Sequence, residues 1–213
     1  MRGTMKIQKF ILVTFSFAAA LVLSLGLSLG RAEAAAPAEQ FISDSVQKGM
    51  SVLNNSASSK EQKKTEFQSF LLGLTDIQAI GRYTLGQYRR SASPEDLTAF
   101  DGAFKDYAMS VYQSYFAKYS GQTLKVTGST SLGTNDTMVK TVTVDPKKPS
   151  AKPFEVNFRV QNTAGRELVV DFSVEGVWIR ELERNDFTSY LGQHNGDVKA
   201  LTAMLKQKAA QQH

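Results

Sequence analysis

Few residues in this chain could carry bond-making chemistry. Histidine occurs only at His194 and His213, and cysteine is absent, which removes thiolate nucleophiles and disulfides. A metal centre or a Ser–His–Asp arrangement would have to be assembled around His194 alone, in a Gly-rich turn. The chain holds no Gly-x-Ser-x-Gly elbow and no Gly-rich phosphate loop followed by lysine. Glu181, Glu183 and Asp186 form a carboxylate group of the type used in acid–base work. Arg180 and Arg184 are interleaved with them, and a charge-compensated surface is the simpler reading. The expectation is a protein that is not an enzyme and uses no cofactor or metal.

The richest stretch for recognition is Gly-Arg-Tyr-Thr-Leu-Gly-Gln-Tyr-Arg-Arg, residues 81–90. Glycine permits close approach or positive φ, and tyrosine packs a ring while keeping a wet hydroxyl. By type alone this could be an amphipathic bend under a core. Ser93-Pro94-Glu95-Asp96 then opens a helix, with serine as N-cap, proline at the first helical position and acids in the first turn.

With Asp76-Ile77-Gln78-Ala79-Ile80 before it and Ser93-Pro94-Glu95 after it, residues 81–90 resemble the signature of the toluene-tolerance (MlaC) family. Val174-Glu175-Gly176-Val177 and Arg184-Asn185-Asp186-Phe187 match further in family order. The resemblance covers most of the chain, from about Phe67 to Leu205. It implies a periplasmic lipid-binding component of a Gram-negative ABC-type transport system.

Arg2, Lys6 and Lys9 form a basic start, followed by an apolar run over residues 10–29 and the small-residue site Ala32-Glu33-Ala34. That is the layout of a secretory signal peptide over residues 1–34; an uncleaved membrane anchor is the alternative. Of 25 basic and 20 acidic residues, four basic and one acidic fall before residue 35, so the remainder carries 21 against 19, or +2. The basic balance is thus mostly targeting signal, and no nucleic acid partner is expected. Residues 35–213 suit one domain with a sizeable core.

The positioning elements follow from periodicity. Helices are expected over 37–54 (Phe41, Ile42, Val46, Val52) and 59–74 (Phe67, Phe70, Leu71, Leu74). A short helix capped by Asp76 and a long one over 94–119 follow. The long helix carries Leu97, Phe100, Phe104, Tyr107, Val111 and Tyr115 at spacings of three and four, widened by Met109, Tyr112 and Phe116. After Gly121 the period becomes two. Strands are expected over 123–131, 138–144, 154–161 and 168–174, with residues 177–182 continuing extended and 145–153 an exposed loop. Val170, Phe172 and Val174 are expected on one face. Closing helices span 184–190 and 197–210. Short connections favour an antiparallel meander. The fold class is α+β, a helical N-terminal half packed on a curved antiparallel sheet of four to five strands.

The resemblance adds an apolar pocket between sheet and helices, and a carrier role. A shuttle for a membrane lipid needs dry walls and a wet mouth. Phe104, Tyr107, Val111, Val142, Val156, Phe158, Val170 and Phe172 are the expected walls; each could equally be ordinary core. Arg82, Arg89 and Arg90 are candidates for the mouth or for partner docking, against solvated arginines or structural ion pairs. Implied partners are a phospholipid, an inner-membrane ABC transporter complex and an outer-membrane lipoprotein complex. Trp178 and Arg180-Glu181-Leu182-Glu183 depart from the commoner family pattern, so a flat hopanoid-type cargo stays open. A ligand-free periplasmic interaction module with a filled core is the other reading.

Overall fold

The computed structural model describes the backbone of residues 29–116 and 121–211, and side chains of 37–111 and 121–211. The first 28 residues of the expected leader and the side chains of Tyr112, Tyr115 and Phe116 lie outside the described residues, as does Tyr119.

Among the described residues, six helices and five strands follow one another in the expected order. α1 (Leu29–Asn54), α2 (Lys60–Leu74), α3 (Ile77–Thr84) and α4 (Pro94–Phe116) come first, with a 3₁₀ turn (Gly86–Arg90) between the last two. β1 (Thr123–Gly133), β2 (Asp136–Val144), β3 (Glu155–Thr163), β4 (Arg166–Val174) and β5 (Val177–Trp178) form one antiparallel meander in sequence order. α5 (Ile179–Gln193) and α6 (Val198–Ala210) close the chain. The sheet is curved and unclosed, and the class is α+β.

Local sequence accounts for the helix starts. Ser59 and Gln62 form a capping box at α2, Asp76 accepts the Ala79 N–H at α3, and Asp197 accepts two N–H groups at α6. α1 begins earlier than expected and carries Pro37 in its interior. The extended segment expected over 177–182 stops at Trp178, because the Asp171 carboxylate accepts the Arg180 N–H at 2.9 Å and so caps α5 from across the chain.

Apolar side chains gather in two clusters that share no member among the described residues. The helical cluster joins Leu85, Phe100, Ala103, Phe104, Phe187, Leu191, Val198, Leu201 and Leu205. The second sets Ala38 and Ile42 of α1 on Val139 and Val160 of the sheet, with Val46, Val126, Phe158 and Val169 packed alongside. Each large side chain so buried contributes about 1.5–3 kcal/mol.

Candidate functional site

The sheet's two faces differ in chemistry. Cross-strand pairs Val139↔Phe158, Thr141↔Val156, Phe158↔Phe172 and Val156↔Val174 put those residues on the face that α1 covers. Pairs Met138↔Arg159, Lys140↔Asn157, Val142↔Glu155 and Arg159↔Asp171 define the other, polar face. Val142 therefore faces away from Val156, Phe158 and Phe172, contrary to its expected place on the same wall. Val170 is also displaced. A bulge between Arg159 and Val160 pairs Val160 with Val169, leaving Val170 as the extra residue, and Val169 takes the place beside the α1 cluster.

The α4 residues divide as well. Phe104 is 5 % exposed inside the helical cluster, stacked on Phe100 at 5.8 Å and edge-on to Phe187 at 6.3 Å. Tyr107 packs against the same cluster, and its hydroxyl donates to Glu183 Oε1 at 3.1 Å. Val111, one turn on, is half-buried. On the sheet, Phe158 packs in the α1 cluster, and Val156 and Phe172 are half-buried on the same face.

The three arginines have different roles. Arg82 forms a bidentate pair with Asp101, Nε to Oδ1 at 3.0 Å and Nη2 to Oδ2 at 2.6 Å. Its hydrogen bonds to Asp101 raise its pKa further. It is a structural pair joining α3 to α4. Arg89 and Arg90 are exposed at the end of the 3₁₀ turn.

Both uses of glycine expected for residues 81–90 occur, one at each glycine. Gly81 lies against the Phe104 ring, and Gly86 turns the chain at φ +54°.

Sequence reasoning missed a polar network on α3, α5 and the polar sheet face. The Tyr83 hydroxyl donates to Glu181 and accepts from Arg184 Nη1, while the Arg180 and Arg184 guanidiniums lie 4.1 and 4.9 Å from its ring centroid. Asp171, 5 % exposed, accepts the Phe172 and Arg180 N–H groups and faces Arg180 Nε at 3.8 Å. Burial nevertheless raises its pKa. Asp136 goes the other way: burial raises its pKa, but hydrogen bonds from Arg159 and Gln161 outweigh this and hold it below the usual range. Only the alternation of charges in β3 and α5 hinted at these pairings.

The carboxylates flagged for acid–base work are dispersed. Glu181 holds Tyr83 and Arg184, Glu183 turns inward to Tyr107, and Asp186 is exposed. His194 is exposed, stacks on Tyr190 at 3.9 Å and bonds the Tyr190 carbonyl through Nδ1 at 2.8 Å.

An open groove of about 700 Å³ runs between α1 and β1, with Val46, Met50, Leu124 and Val126 as apolar lining and Gln47, Asn54 and Lys125 among its polar residues. Val46 and Val126 belong also to the α1–sheet cluster, so the groove leads onto the sheet's apolar face. A second concavity of about 470 Å³ lies between α2, α4 and α6. Neither is lined by any of the eight expected wall residues. Leu124 and Val126 are the alternating apolar members of β1, a signal the sequence did carry.

Fold and site together define an α+β domain whose sheet has one apolar face, packed against α1. The chain belongs to the MlaC family: the model of the MlaC protein matches residues 43–207. The fold is shared with the phospholipid-binding protein from Ralstonia solanacearum, solved in complex with a phospholipid. The TM-score is 0.71 at 18% identity, covering 82% of this chain and 98% of that one.

Proposed function

We propose that this chain is a periplasmic carrier that binds a phospholipid non-covalently and shuttles it between an outer-membrane lipoprotein complex and an inner-membrane ABC transporter complex. The signal peptide over residues 1–34 is removed on export, which leaves Pro37 near the start of α1, where a proline is tolerated. The observation that carries the reading is the open groove between α1 and β1, whose Val46 and Val126 lead onto the sheet's apolar face. Val156, Phe158 and Phe172 lie half-buried on that face by strand register, where Ala38 and Ile42 of α1 are the fully buried apolar contacts among the described residues. Family membership and the phospholipid held by the Ralstonia solanacearum protein support the same cargo class.

Keeping acyl chains dry across an aqueous space is worth about 0.8 kcal/mol per methylene, so two ordinary chains amount to ~20 kcal/mol of gross burial. A carrier supplies an apolar surface for the chains and leaves the headgroup in water; no covalent step is required. In this reading the chains lie along Val156, Phe158 and Phe172, entering from the α1–β1 groove, and Phe104 and Tyr107 brace the helices behind them.

The test is thermal unfolding of delipidated protein with and without a short-chain phospholipid. Binding to the folded state raises Tm with ligand concentration. An unchanged Tm at saturating lipid contradicts the proposal.

A further inference from the structure

We propose that one end of the sheet, made by the β2–β3 loop and the β4–β5 turn, docks on an anionic phospholipid membrane. Five large apolar side chains stand exposed among the described residues, and three of them sit at this end: Val144 at 38%, Phe154 at 47% and Val177 at 51%. Their placement follows from the ladder. The Thr143 N–H donates to the Phe154 carbonyl at 3.0 Å, which makes Val144 and Phe154 the two feet of the loop. The Glu175 N–H donates to the Glu155 carbonyl at 3.0 Å, and Val174 pairs with Val177, which brings the next turn alongside.

The loop between those feet carries Lys147, Lys148 and Lys152, all exposed and without a carboxylate partner among the described residues. Two neighbouring acids are engaged by hydrogen bonds, Asp145 half-buried and Glu175 exposed. Asp145 accepts from the Gln122 side chain and from the Lys147 N–H, and Glu175 accepts the Glu155 N–H at 2.6 Å. Glu155 is a further exposed acid at this end. Pro146, Pro149 and Pro153 restrict the loop backbone, so the lysines are presented with little ordering cost.

Exposed aromatic and aliphatic tips between lysines fit a fluid anionic interface: the tips enter the headgroup boundary and the ammonium groups meet lipid phosphates. Lysine is a point charge on a flexible stem, suited to such a surface more than to a shaped protein partner. Position supports the same occupant. Pro146 of this loop also lines the α1–β1 groove, and Lys147 lies over Gly121 of that groove at 3.8 Å from the position a Cβ would take. Docking by the loop therefore brings the groove mouth to the bilayer. The purpose of this surface rests on the carrier reading; its test does not.

The test is flotation of the exported protein with phosphatidylglycerol-containing vesicles against pure phosphatidylcholine vesicles. Lipid carried by the protein is measured on the same samples. The expected result is binding to the anionic vesicles that weakens with salt. The triple variant K147Q/K148Q/K152Q loses on the order of a hundredfold in partitioning, and F154S/V177S loses binding with its Tm unchanged. Absence of flotation by the unaltered protein, or equal flotation by the lysine variant, overturns the docking surface. Flotation by protein that never carries lipid sustains docking and removes the carrier reading, whereas cargo without flotation removes docking alone.

Discussion

The α-carbon of Gly81 lies so close to the Phe104 ring that a methyl group there would sit 2.6 Å from Phe104 Cδ1 and 2.9 Å from Cγ. Phe104 cannot retreat, since Phe100 and Phe187 flank it. Gly81→Ala is therefore expected to destabilise by about 1–3 kcal/mol, the usual cost of overpacking. In chemical denaturation, Phe104→Leu combined with Gly81→Ala should cost less than the sum of the two single changes, because the smaller side chain vacates the clash.

Asp171 should be among the most sensitive polar positions. Asp171→Ala leaves the Arg180 guanidinium and two N–H groups uncompensated at a buried site, an expected loss of about 3 kcal/mol. Asp171→Asn keeps an acceptor for the α5 N-terminus and should lose less. Equal losses in urea unfolding for both variants would contradict the capping role.

Glu183 gives a pH-dependent expectation of definite sign. Burial raises its pKa, outweighing the Tyr107 hydrogen bond, with Asp186 adding to the rise. The folded chain thus holds this proton more tightly than the unfolded chain. Stability contributed by the protonated form is full below the ordinary glutamate value and is lost as pH rises through the folded-state value. Glu183→Gln keeps a carbonyl acceptor for Tyr107. It should raise Tm near neutral pH and leave it unchanged at acid pH below about 4; a uniform shift across pH would contradict this.

The two faces of the sheet provide a paired test of the lipid wall. Val156→Phe fills the apolar face and is expected to cut the amount of copurifying phospholipid several-fold while leaving Tm within a few degrees. Val142→Phe, on the opposite face, should leave lipid content unchanged. Lipid extraction and quantification of both variants distinguishes them.

How far the sequence reached can be judged at particular residues. Ser59, Asp76 and Asp197 cap helices by local chemistry, and the alternation from Val156 to Val160 in β3 has a period only a strand shares, so these elements were legible. The bulge at Val170 was not, because an extra residue leaves no mark in the alternation of one strand read alone. Nor was the start of α5 at Ile179, whose cap comes from Asp171 on another element. The spacing of Leu97, Phe100, Phe104 and Tyr107 fixes one face of α4 but does not say what that face meets. The structure gives Phe104 to α3 and α5. Tyr83 depends on partners about a hundred residues away, and no local pattern announces them.

The most direct measurement of the carrier account is native mass spectrometry of the exported protein, purified from its own host without detergent, with lipid identification in parallel. The account predicts a complex with phospholipid in stoichiometric amount, reduced by Val156→Phe and preserved by Val142→Phe. A hopanoid-type species at the same stoichiometry would contradict the cargo class while keeping the carriage. A lipid-free mass, with no uptake from added phospholipid vesicles, would contradict the central claim and leave a closed interaction domain.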